Sequence, residues 1–303
     1  MRLRTVFISD IHLGFKGCSA EYLLEFLHKV EMDYLFLVGD IVDVWSMKKT
    51  MFWPQSHNNV VRTILGKAKR GTKVIFVPGN HDEVFRDFDG SVFGNLEIHR
   101  EYVHVAADGR RMLVLHGDEF DSVVKFSPWL AKVGSNIYDF LLAVNPYINW
   151  VRRKFDLPHW SLASYLKNTT KKAVQYIGSF EDSVAQAARK RGVDAVVCGH
   201  IHRAEMRDMN GILYCNDGDW VESCTSLVED MNGRLSLIDW PKIRGHLLTA
   251  SEAAATVPAT APAAAAPAPA LAPAAATLVQ GGLEEDLGPV SIPAIARLLK
   301  FVK

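Results

Sequence analysis

Cysteine is scarce and unpatterned. Cys18, Cys198, Cys215 and Cys224 are spread over 303 residues. No two stand in C-x-x-C spacing, which argues against a zinc knuckle or a thioredoxin-type pair. A chain this long needs no disulfide staples, so reduced thiols and a cytoplasmic setting are expected. Net charge is lacking as well. With 34 Lys+Arg against 34 Asp+Glu there is no overall basic field to attract a phosphate backbone, and no nucleic-acid partner is expected. No apolar run approaches the ~20 residues of a membrane span. The start of the chain carries Arg2 and Arg4, but the apolar stretch behind them is too short for a secretory signal.

What is present is a normal apolar fraction of 49% with 22% charged residues, enough for a large soluble core. Strand-like runs at 4–9, 34–38 and 73–77 alternate with helical spacing at 21–30 and 60–69, the pattern of an α/β crossover sheet. Later runs at 111–115, 195–198, 212–215, 223–229 and 234–239 follow one another with little helix and predict a second, more antiparallel sheet. Asn232-Gly233 between the last two is a hairpin turn signal. From 120 to 190 no strand signal appears, and large apolar residues recur at helical spacing, from Phe126 and Trp129 to Trp160 and Tyr165. The division expected is a body of residues 1–120 and 191–241, a helical insertion or cap at 121–190, an Ala/Pro-rich disordered linker at 250–280, and a short basic amphipathic helix at 283–303.

Five short motifs punctuate the strand-like runs: Ser-Asp-Ile-His at 9–12, Gly-Asp-Ile-Val-Asp at 39–43, Gly-Asn-His-Asp at 79–82, His-Gly-Asp at 116–118 and Gly-His-Ile-His at 199–202. In open α/β sheets ligands collect at the carboxyl ends of strands, so five such ends bring their side chains to one rim. The recurring glycines suit tight turns and close backbone approach. Asp10, His12, Asp40, Asn80, His116, His200 and His202 offer carboxylate, amide and imidazole donors without sulfur, a mixture that suits Mn²⁺, Fe²⁺ or Zn²⁺. Seven donors are too many for one tetrahedral ion and suit two metals with a shared carboxylate. A single Asp or His at a strand end is usually a helix cap or a satisfied polar group. Five in succession are not explained by capping, because buried carboxylates and imidazoles left unpaired are costly.

In this order the motifs resemble those of the calcineurin-like metallophosphoesterases, over about residues 1–240. The resemblance implies a four-layer α/β/β/α sandwich with a helical cap insertion. It implies one metal held by Asp10, His12 and His202, a second by Asn80, His116 and His200, and Asp40 bridging both. His81 resembles the family's catalytic histidine, with Asp82 expected to orient it and Asp43 expected beside the ligands rather than among them. Two such cations clamp a phosphoryl group and lower the pKa of a water.

A narrower resemblance is carried by His-Gly-Asp-Glu-Phe-Asp at 116–121, Gly-His-Ile-His-Arg at 199–203, Gly-Asp-Trp-Val-Glu-Ser at 218–223 and the aromatic insertion. These are similar to the UDP-2,3-diacylglucosamine pyrophosphatases, which release UMP and a lipid phosphate. That resemblance implies hydrolysis of a lipid-linked nucleotide diphosphate, a cytoplasmic enzyme peripheral on the inner membrane, and substrate contacts from Arg203, Arg152, Arg153 and Lys167. One position departs: the best-known branch has arginine where this chain has His81. A soluble phosphodiesterase or phosphomonoesterase acting on nucleotides or phosphoproteins therefore stays open, as does a non-catalytic metal-bound scaffold.

Overall fold

The computed structural model describes residues 1–121, 149–150, 152–154 and 171–244. Strands β1 (Arg2–Ile8), β2 (Glu31–Val38) and β3 (Lys73–Val77) each end in four consecutive buried residues. A strand buried on both faces must sit inside a layered structure, and the alternation of side chains says what lies on each side. Val6, Ile8, Leu35 and Leu37 pack with Leu23, Phe26, Val60 and Ile64 of helices α1 (Ala20–Lys29) and α3 (Gln55–Lys69). Their neighbours Phe7, Phe36, Ile75 and Val77 face the opposite way and meet Met112, Val114, Val197 and Cys215. Those come from β7 (Arg111–Val114), β8 (Ala195–Cys198) and β10 (Ile212–Asn216) of a second sheet. The outer face of that sheet is covered by α4 (Lys171–Lys190), whose Ile177, Phe180, Val184 and Ala188 pack on Leu113, Val196 and Tyr214. The result is the expected α/β/β/α order of layers.

The first sheet has seven strands in the order β12-β11-β1-β2-β3-β5-β4, and the second has five in the order β6-β7-β8-β10-β9. Here β4 is Val92–Phe93, β5 Leu96–Ile98, β6 Tyr102–Val105, β9 Glu205–Met209, β11 Thr225–Glu229 and β12 Leu235–Asp239. The grouping of the late strands differs from the sequence expectation. The runs at 223–229 and 234–239 do form a hairpin through Asn232-Gly233, with Gly233 at φ +85°. That hairpin joins the first sheet, where β11 pairs antiparallel with β1 (Thr5 opposite Glu229). The interior of the second sheet is parallel, β7 to β8 and β8 to β10, with antiparallel partners at its two edges. Its edge strand β9, EMRDM, is polar and mostly exposed, so it carries no apolar signal.

Residues 171–190 fell within the stretch expected to form a cap. They are instead the helix that crosses from β7 to β8 and closes the outer layer of the body. Most of the rest of 121–190 lies outside the described residues, as do the linker at 250–280 and the segment at 283–303. Among the described residues no helix is long and apolar enough to cross a membrane.

The motif loops all leave the carboxyl ends of parallel strands. Asp10 follows β1, Asp40 follows β2, Asn80 follows β3, His116 follows β7 and His200 follows β8. The first three strands are neighbours in one sheet and the last two in the other, so the packing of the sheets brings five loops to one rim.

Candidate metal centre

Each loop turns sharply as it leaves its strand. Asp10, His12, Asp40, His200 and His202 all have left-handed backbones, at φ +49°, +55°, +52°, +70° and +53°. Such values are uncommon outside glycine, and side chains held in them cluster at functional sites. The loops are stitched together by main chain: Asp10 N donates to Gly39 O, His12 N to Asp40 O and Gly199 N to His116 O. Glycine is required where a loop meets another loop's functional group. A Cβ at Gly79 would collide with the Asp40 carboxylate and the His116 ring.

The side chains converge on Asp40. Its Oδ2 stands 3.4 Å from His116 Nε2 and 3.9 Å from His12 Nε2, while His202 Nε2 lies 3.1 Å from Asp10 Oδ1. Two triads have ligand atoms within 4.8 Å of one another, Asp10/His12/His202 and Asp40/His116/His200. These are members of the two ligand groups expected from sequence. Asn80 joins them through its buried Oδ1. A third triad, His12/Asp43/His81, overlaps the first.

Hydrogen bonds fix which atoms face the centre. His116 Nδ1 donates to Val38 O at 2.9 Å, leaving Nε2 as a lone pair. His12 Nδ1 donates to Asp43 Oδ2 at 3.3 Å, again leaving Nε2. At the centre, four buried atoms then have no hydrogen-bond partner among the described residues: Asp10 Oδ1, His12 Nε2, Asn80 Oδ1 and His116 Nε2. Buried polar groups are rarely left unsatisfied, and all four are lone-pair donors on expected ligands. The residues therefore fit divalent cations.

The electrostatics agree. Burial alone would raise the Asp10 carboxyl, but the neighbouring His202 holds it below the ordinary range. Burial is likewise outweighed at Asp40 by His116, and its carboxyl is held well below that range. Against burial, the Asp43 hydrogen bond and the charges of Asp40 and Asp10 push His12 up to about 9. The carboxylates thus make a centre that favours positive charge, and a cation bound there would displace any proton from the imidazoles.

His81 is placed differently from the expectation for its partner. Its Nδ1 donates to Asp43 Oδ1 at 3.0 Å, with Nε2 facing Asp40 at 4.0 Å. Asp82 makes other bonds. Its Oδ2 accepts from Ile41 N (2.7 Å) and Val42 N (3.2 Å), and its Oδ1 from Gly79 N (2.7 Å). Asp82 splices two motif loops together, and Asp43 takes the orienting position that sequence assigned to Asp82. The reason is reach: a buried carboxylate beneath three N–H groups is already saturated by backbone. Burial and the charge of Asp40 push Asp82 up to about 6.

Sequence also missed the support beneath Asp10. Ser9 Oγ lies 2.5 Å from Asp10 Oδ2 and 2.6 Å from Asp217 Oδ1. One hydroxyl proton cannot serve both oxygens. Burial pushes the Asp217 carboxyl well above its ordinary range, which favours a shared proton along this Asp10–Ser9–Asp217 line. Similarly, Gly14 N donates to His57 Nδ1 at 2.9 Å, propping the loop behind His12.

Of the expected substrate contacts, Arg203 follows His202 and pairs with Glu205 at 2.7 Å and Glu181 at 3.6 Å. Arg152 and Arg153 lie on a helical fragment, and Lys167 is outside the described residues.

Comparison with known proteins gives the family. The family model for calcineurin-like phosphoesterase matches residues 3–204. A UDP-2,3-diacylglucosamine hydrolase of Psychromonas ingrahamii is 23% identical over 255 residues, covering 79% of this chain and 98% of the relative. Another, from Neisseria gonorrhoeae, is 26% identical over 233 residues, covering 73% and 92%. Among solved structures, Yfce, a phosphoesterase from E. coli, is 17% identical with a TM-score of 0.36, covering 78% of this chain and 98% of that one.

Proposed function

The chain belongs to the calcineurin-like phosphoesterase family, a metal-dependent hydrolase by that membership, and on this premise we propose that it cleaves the pyrophosphate of UDP-2,3-diacylglucosamine or a related lipid-linked nucleotide diphosphate. The observation that carries the reading is the ring of four buried donors around Asp40 that have no hydrogen-bond partner among the described residues. Asp10, His12 and His202 would hold one divalent cation and Asn80, His116 and His200 the other, with Asp40 serving both. Mn²⁺ is the ion proposed, with Fe²⁺ and Zn²⁺ also suited to these donors. When bound, such a pair neutralises phosphoryl oxygens and supplies a water of lowered pKa.

The chain's own residues do the rest. His81, tied at Nδ1 to Asp43, presents Nε2 to the phosphoryl group, where it stabilises developing charge or gives its proton to the departing oxygen. Water adds at one phosphorus, the P–O–P bridge breaks there, and the bridging oxygen leaves with the second phosphate. The products are UMP and a diacylated glucosamine 1-phosphate. Arg203, Arg152, Arg153 and Lys167 are proposed to meet the substrate's anionic groups. A lipid substrate also calls for action at the inner membrane face.

The relatives' names support the substrate class. His81 supports a second reading, a phosphodiesterase or phosphomonoesterase on soluble substrates. The test is UMP release from UDP-2,3-diacylglucosamine by the Mn²⁺-loaded protein, with Asp40→Asn as the blank. Metal-dependent release lost in that variant is expected. Turnover of an aryl phosphodiester without UMP release would replace the lipid reading with the soluble one.

A further inference from the structure

Helix α4 reaches the metal centre through one histidine. His200 Nε2 lies 2.9 Å from Asp121 Oδ1, and Tyr176 Oη donates to the same oxygen at 2.6 Å. Phe180 stands four residues after Tyr176 on the same face of α4. Its ring centroid is 5.9 Å from that of His200, and it is fully buried. The helix thus holds one imidazole twice, by direct ring contact and through a carboxylate. From the other side His200 N donates to Asp10 Oδ2 at 2.9 Å.

An imidazole has two nitrogens, and the partner of one decides what the other can do. A carboxylate can only accept here, so Nε2 carries the proton and Nδ1 keeps its lone pair. The Asp40/His116/His200 ligand atoms lie within 4.8 Å of one another. His116 reaches the same arrangement by the opposite route, donating Nδ1–H to a main-chain carbonyl. His200 sits in a left-handed strand-end turn, where the backbone alone does not set its ring.

We propose that Asp121 and Tyr176 are positioning residues for His200. Asp121 fixes the tautomer and ring plane that let Nδ1 serve the cation shared with Asn80, His116 and Asp40, and Tyr176 fixes Asp121. The inference rests on the two-cation reading above. Carboxylates behind a ligating histidine typically change metal affinity by about 10- to 100-fold.

Equilibrium dialysis of the full chain against Mn²⁺, with elemental analysis of bound metal, tests this directly. The wild type is expected to bind two ions. A stoichiometry below two would overturn the two-cation reading and this inference with it. With two ions bound, Asp121→Ala is expected to weaken one ion by about 10- to 100-fold and to leave the other unchanged. Asp121→Asn keeps an oxygen acceptor of the same shape and should recover most of that loss. Tyr176→Phe removes one hydrogen bond to the carboxylate behind His200 and should weaken the same ion by about three- to tenfold, with thermal unfolding near that of the wild type. Unchanged affinities in Asp121→Ala, or an equal loss of both ions, would overturn the proposal. If Asp121→Ala does not fold, the Tyr176→Phe titration decides: selective loss of one ion supports it, and none overturns it.

Discussion

The Asp43 carboxylate is shared by two imidazoles, His12 through Oδ2 and His81 through Oδ1, while it also caps α2 (Val44–Lys49) by accepting from Ser46 N at 2.7 Å. Burial would raise this carboxyl, yet the two histidines hold it far below its ordinary range. One residue therefore sets the tautomer of two imidazoles of the candidate site, His12 and His81. His81→Ala should lower kcat by about 10²- to 10⁴-fold while bound metal per chain is unchanged. Loss of metal together with activity would show that His81 is a ligand instead. The candidate ligands were legible in the sequence because five motifs repeat one idea, an Asp, Asn or His just past an apolar strand, and the fold brings those residues to one rim. The partnership of His81 was not. Asp43 and Asp82 are both aspartates that end a motif, and only the turn of each loop decides which carboxylate meets the ring and which meets three backbone N–H groups. Ser9 and Asp217 are 208 residues apart, so their bond had no local signal.

At the scale of the elements, parallel strands with both faces buried were readable as unbroken apolar runs, and β3 and β8 fall where the sequence placed them. Short or polar strands such as β4, β5 and β9 gave no such run. The sheet to which β11 and β12 belong depends on the pairing of Thr5 with Glu229 across the chain, which is not written in either segment. Where strands end, the constraint is steric. Gly79 carries β3 into its loop directly against Asp40 and His116. Gly79→Ala should push both ligands aside. A displacement of about 1 Å at reacting groups costs on the order of 10²-fold, and the change should appear as reduced kcat/KM with reduced Mn²⁺ affinity. Activity and metal content like those of the wild type would mean that the loops yield more easily than their hydrogen bonds suggest.

The two sheets of the whole molecule are joined, away from the metal rim, by Glu229 on β11. Its carboxylate is fully buried and accepts from Arg4 Nη1 at 2.8 and 3.0 Å, from Ala107 N at 2.7 Å and from the Thr5 hydroxyl, with His104 Nε2 at 3.1 Å. Arg4, Thr5 and Glu229 belong to the first sheet, and His104 to β6 of the second. Burial alone would raise this carboxyl, but His104, Thr5 and Ala107 N lower it to about 2, from an ordinary 4.5. A folded-state pKa below the unfolded value means that the folded chain binds fewer protons. The stabilisation is then complete above pH 4.5 and is lost as the pH falls toward 2. At 1.36 kcal/mol per unit, about 3 kcal/mol of stability should disappear across that window. Glu229→Gln, which cannot titrate, should be less stable at pH 7, because the Arg4 charge loses its buried partner. It should also lose correspondingly less stability between pH 4.5 and 2.5 in urea unfolding. Parallel curves for the two proteins over that range would place the acid sensitivity elsewhere and leave the joint between the sheets to apolar packing alone.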